Sequence, residues 1–162
     1  MPLNILVLCT GNSARSILGE ALATELSGGR ARGFSAGSRP AGQVNPVALE
    51  TLARHGVPIA DPRSKRWDEF AAPGAPAIDI VLTVCDSAAN ETCPVWPGAP
   101  VQVHWGIPDP AHVEPIAARR AAFEVAFQTL KRRFAAFFAH DIETLTAAER
   151  KTLLQKIARE DA

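Results

Sequence analysis

The chain reads as an α/β fold: a single three-layer α/β/α domain built on a four-stranded parallel sheet, with an extra helix at the C-terminus. Three observations predict this. Short apolar runs dense in branched residues recur along the sequence, as in strands buried on both faces. Stretches of helical period separate them, which is how parallel strands are joined. The chain has 162 residues, of which 47% are hydrophobic, so one domain can bury a core without disulfides or metals.

Each element can be justified in order. Residues 4–8 (NILVL) form the first strand. Residues 14–26 carry Leu18, Leu22 and Leu26 at four-residue spacing, predicting a helix that Gly28-Gly29 ends. Residues 32–36 make a second strand before the turn Gly37-Ser38-Arg39-Pro40. Asn45-Pro46 is a cap with proline at the first helical position, predicting a helix over 47–55 that Gly56 stops. Residues 79–84 (DIVLTV) and 101–104 are the third and fourth strands. From Glu114 to about Ala139 a long helix places Phe123, Phe127, Leu130, Phe134 and Phe138 on one face. Phe137 cannot share that face, so the last helix is expected to cover part of this apolar area. That helix opens on the capping box Thr146-Ala147-Ala148-Glu149 and carries Leu153, Leu154 and Ile157. Residues 1–139 are therefore expected to form the main domain and 140–162 a helical extension. Trp67, Trp96 and Trp105 read as packing residues.

Composition excludes several functions. Lys plus Arg equals Asp plus Glu at 17 each, so no bulk positive field exists to hold nucleic acid or an anionic membrane. Any anion site must be local. The longest apolar run is about a strand long, too short to span a bilayer. The N-terminus has no basic n-region and runs directly into a strand, so the chain is expected to be cytoplasmic. Three cysteines in a reducing compartment point to chemistry rather than to staples. The four histidines are scattered and no His/Cys spacing suggests zinc, so neither a metal nor a bound cofactor is expected.

Parallel sheets bind ligands beyond the carboxyl ends of their strands. Cys9 ends the first strand, Cys85 the third, and His104-Trp105-Gly106 the fourth, so three chemically interesting segments converge on one edge. The stretch Cys9-Thr10-Gly11-Asn12-Ser13-Ala14-Arg15-Ser16 links the first strand to the first helix. Backbone N–H groups curled in such a loop, together with the helix N-terminus, suit a tetrahedral oxyanion. Gly11 is expected to provide the turn. Arg15 can grip two oxygens with its planar fork. Asn12, Ser13 and Ser16 can hold the loop with side-chain hydrogen bonds. A positive field of this kind favours the thiolate, the form of cysteine that attacks. Cys9 is the expected nucleophile.

The residues Val7 to Ser16 resemble the signature loop of the low-molecular-weight protein tyrosine phosphatase superfamily, which includes related arsenate reductases. The resemblance extends through Ser35-Ala36-Gly37, Asn45-Pro46, the strand ending at Cys85, and Asp109-Pro110, over roughly residues 3–139. It implies that Asp109 is the general acid that protonates the departing oxygen. Two departures pull away from the phosphatases. Ala111-His112 follows Asp109-Pro110 where phosphatases usually place an aromatic residue, and the chain has no tyrosine; Ile17 follows Ser16 where they place proline. The segment from Cys85 to Cys93-Pro94 closely resembles the redox segment of three-cysteine arsenate reductases, and His104-Trp105-Gly106 matches that group too.

The resemblance thus implies reduction of arsenate to arsenite by a relay. Cys9 attacks arsenate, Cys85 attacks the sulfur of Cys9, and Cys93 then attacks Cys85. The resemblance implies that an external thiol reductant restores the thiols: thioredoxin in some relatives, glutaredoxin with glutathione or mycothiol in others. Phosphate and sulfate are the expected competing oxyanions. A phosphatase using only Cys9, Arg15 and Asp109, and a non-catalytic oxyanion binder, stay open at this point. Some relatives also bind potassium beside the loop, through residues matching Asn12, Glu20 and Ser35. There this chain carries Lys65 where they use aspartate, and its ammonium can take the cation's place and pair with Glu20.

Overall fold

A computed structural model describes residues 2–85 and 96–161. Cys93 lies outside the described residues. Four parallel strands, β1 (Leu3–Cys9), β2 (Ala31–Gly37), β3 (Ile80–Thr83) and β4 (Val101–His104), form one sheet in the order β2-β1-β3-β4. The helices are α1 (Arg15–Leu26), α2 (Pro46–Arg54), α3 (Ile116–Phe138) and α4 (Ala147–Glu160).

The alternation of side chains along β1 sorts the core into two. Leu3, Ile5, Val7 and Cys9 face the large cluster packed with α1, α2, α3 and α4. Leu6 and Leu8 face a smaller cluster made with Trp67, Phe70, Ile78, Val81 and Trp96. Trp67–Phe70 is a short 3-10 turn that covers this second face. The central strands β1 and β3 are buried on both sides, while the edge strand β4 alternates.

Local signals act as chemistry demands. Asn45 accepts from Val47 N at 2.9 Å, with Pro46 opening α2. Gly28 and Gly29 take positive φ after α1. Thr146 and Glu149 close the capping box of α4. The long helix begins at Ile116 rather than Glu114, because a residue before proline is driven out of the helical region and Pro115 has no N–H to give. Phe137 and Phe138 are both buried, as are Leu154 and Ile157 of α4. Trp105 Nε1 donates to Leu154 O at 2.9 Å, tying the last helix to the end of β4. Among the described residues no helix is long and apolar enough to cross a membrane.

Candidate active site

The carboxyl ends of the strands assemble the site. Cys9, the last residue of β1, lies opposite Gly37, the last of β2. The two strand ends approach closely: a Cβ on Gly37 would stand 2.4 Å from Thr10 O and 2.7 Å from Cys9 O. Only glycine fits there. The carbonyls of Thr10, Gly11 and Ser13 accept from Arg39 N (2.9 Å), Ala41 N (2.9 Å) and Asn45 N (2.8 Å) outside the loop. Ser64 Oγ also donates to Gly11 O, at 3.0 Å. In a trans peptide the N–H opposes the carbonyl, so the N–H groups of Gly11, Asn12 and Ala14 are turned the other way. That is the arrangement an oxyanion requires.

The turn itself falls on Asn12, at φ 46°, and not on Gly11. A Cβ at Gly11 would meet only Ser13 Oγ, at an ordinary 3.6 Å. Asparagine tolerates the left-handed region, and here its whole amide is used. Oδ1 accepts from Lys65 N at 2.8 Å, and Nδ2 donates to Ser16 Oγ at 2.8 Å and Ser35 Oγ at 3.0 Å. Ser16 Oγ lies 2.9 Å from Cys9 Sγ. That oxygen also accepts from Asn12, and its hydrogen is able to donate to the sulfur when Cys9 is a thiolate.

Arg15 opens α1 with its side chain largely buried. Nη1 donates to Ile107 O at 2.9 Å and Nη2 stands 3.5 Å from Asp109 Oδ2, while Nε is buried with no acceptor. Asp109 is half exposed and fixed by Ala111 N, which donates to Oδ1 at 2.9 Å. Arg15 and Asp109 thus line one cleft with His104 and Ile107, and Cys9 ends the strand that leads into the loop before Arg15. Cys85 lies beside the loop: it is 5% exposed, and its Sγ lies 3.3 Å from Thr10 Oγ1. His104 Nδ1 bonds Thr83 Oγ1 at 2.8 Å.

Behind the loop, Lys65 is 9% exposed. Its ammonium lies 2.9 Å from Arg63 O, 3.4 Å from Ser35 Oγ, 3.5 Å from Asn12 Oδ1 and 3.7 Å from Glu20 Oε1. Burial pushes the Glu20 carboxyl above its ordinary range, against the pull of the Ser35 hydroxyl and Lys65. Burial likewise lowers the Lys65 ammonium, and Glu20 opposes it. The pairing of Lys65 with Glu20 is present.

Sequence reading missed Ser64 and Arg133. Ser64 sits in a stretch with no periodic signal. Arg133 had one: it falls three residues after Leu130 on the buried face of α3, where an arginine is out of place.

The low molecular weight phosphotyrosine protein phosphatase family model matches residues 4–151. An arsenate reductase of Halalkalibacterium halodurans is 37% identical over 110 residues, covering 68% of this chain and 76% of that protein. An arsenate reductase structure from Archaeoglobus fulgidus superposes with TM-score 0.60 at 26% identity, covering 80% of this chain and 98% of that one. A thioredoxin-dependent arsenate reductase from Corynebacterium glutamicum gives TM-score 0.58 at 26% identity, over 80% of this chain and 59% of that one. The chain belongs to the low molecular weight phosphotyrosine protein phosphatase family, among the relatives that include its arsenate reductases.

Proposed function

We propose that this protein reduces arsenate to arsenite, with Cys9 as nucleophile and Cys85 and then Cys93 as resolving thiols. The observation that carries the reading is the position of Cys85. Its sulfur stands 3.3 Å from the hydroxyl of Thr10, the residue after the nucleophile. A second thiol beside an oxyanion loop serves reduction and is superfluous to hydrolysis.

Arsenate enters the loop, where the inward N–H groups and the unpaired Nε of Arg15 hold its oxygens. Cys9 Sγ attacks arsenic, and Asp109 protonates the oxygen that leaves as water. Cys85 then attacks Cys9 Sγ. The Cys9–arsenic bond breaks, its electron pair stays on arsenic, and arsenite departs. One disulfide and one two-electron reduction balance. Attack of Cys93 on Cys85 moves the disulfide to Cys85–Cys93 and returns Cys9. A thioredoxin-like dithiol in the cytoplasm then restores both thiols, and phosphate or sulfate compete for the loop.

Hydrolysis of small phosphoesters is the second reading, favoured by one observation. Cys9, Arg15 and Asp109 alone form a complete set for it, with Asp109 held 3.5 Å from Arg15. Arsenate-dependent NADPH oxidation with thioredoxin and its reductase separates the two. We expect turnover in the native chain and near-complete loss of multiple turnover in Cys85→Ser and Cys93→Ser. Full arsenate turnover in both variants would contradict the relay. Rapid hydrolysis of an aryl phosphate with no response to arsenate would establish the phosphatase.

A further inference from the structure

We infer that Arg133 is a second anion-binding group in the cleft beside Arg15, and that the cleft takes small organic anions bearing a carboxylate next to their oxyanion head. The inference rests on the oxyanion-loop part of the proposed function and not on the relay.

The cleft is open and measures about 630 Å³, far more than one tetrahedral oxyanion fills. Among the described residues, Arg15, Asp109, His104 and Ile107 line it on the loop side, and Arg133 of α3 and Ala158 of α4 line the other. Arg133 is 7% exposed, on a helix face whose other buried members are mainly apolar. Its Nε donates to Asp161 Oδ2 at 2.8 Å, and its guanidinium lies over the Trp105 ring, 6.0 Å from the centroid. Its Nη1 is buried and has no acceptor. A buried guanidinium N–H without a partner is costly, and the stacking and the Nε bond hold the group in that position.

Charge on this wall is unbalanced. Arg132 Nε also binds Asp161, at 2.7 Å to Oδ1, so one carboxylate serves two guanidiniums. On the opposite wall Arg15 faces Asp109 one to one. Asp161 is therefore shared, and Arg133 has no carboxylate to itself. An oxyanion held by Arg15, which lines this cleft, leaves Arg133 for a second acidic group on the same ligand. The last helix, through Asp161 and Ala158, builds this subsite.

Calorimetric titration of the reduced full chain tests the inference without any turnover. The probes are inorganic phosphate, methylphosphonate and phosphonoacetate. We expect phosphonoacetate to bind about tenfold more tightly than methylphosphonate, the gain of one charge-assisted contact. In Arg133→Gln that gain should vanish while phosphate binds as before, and Arg133→Lys should keep part of it. Equal affinity for the two phosphonates in the native chain would overturn the inference. So would a gain that survives in Arg133→Gln. If Arg133→Gln fails to fold, seen as loss of phosphate binding and of its melting transition, the native chain and Arg133→Lys still decide. Failure of phosphate to bind the native chain would instead overturn the oxyanion loop itself, and the inference with it.

Discussion

At the scale of single residues, the loop is held by side-chain hydrogen bonds from Asn12. Asn12 uses its amide to join the loop, the first turn of α1, β2 and Lys65. Lys65 fills a buried cage of four oxygens with its ammonium. Removing one partner of a buried pair strands the other charge, at a cost on the order of 3 kcal/mol. Lys65→Asp should therefore melt several degrees below the native chain. Potassium chloride should restore much of the loss, whereas tetramethylammonium chloride, whose cation is too large for the cage, should not. The native chain should be indifferent to either salt. Identical melting and identical salt response in the two proteins would show that the ammonium does not act as a built-in cation. In the sequence, spacing and residue type singled out Cys9 and Arg15 as candidates, while Asp109 was singled out only through the family resemblance. Sequence reading misplaced the turn on Gly11, because a glycine advertises backbone freedom while an asparagine's left-handed turn depends on partners from residues 35 and 65.

At the scale of elements, the strand ends do the positioning. β1 delivers Cys9, β2 delivers the glycine that lets the loop lie against it, and β3 leads directly to Cys85. β1 and β3 were legible because each is a short, doubly buried apolar run, whereas β2 is marked mainly by the turn that follows it. The capping box of α4 was legible too, since its two bonds join residues three apart. Where α4 docks was not, because that depends on a bond from Trp105, far away in the chain, to Leu154. Leu154 is 1% exposed, so Leu154→Ala should cost roughly 2–4 kcal/mol. At about 2–4 °C per kcal/mol for a chain of this size, thermal melting should fall clearly. An unchanged melting temperature would mean that α4 is only loosely attached and that the core ends with α3.

At the scale of the whole molecule, a chain of zero net charge has no bulk positive field, so an anion site has to be local. The proposed oxyanion site combines backbone N–H groups with Arg15 at the edge of a parallel sheet, where such folds bind ligands. The fold class followed from periodicity. The choice between hydrolysis and reduction did not, since phosphate and arsenate share shape and charge; it turns on which thiols stand near Cys9. The most direct measurement stops the relay after its first exchange. The Cys93→Ser chain, fully reduced and given arsenate without other thiols, should release one arsenite per chain and retain a Cys9–Cys85 disulfide, read by mass spectrometry of a digest made without reductant. Arsenite released with Cys9 and Cys85 unlinked, or no arsenite at all from a chain that binds phosphate, would contradict the account.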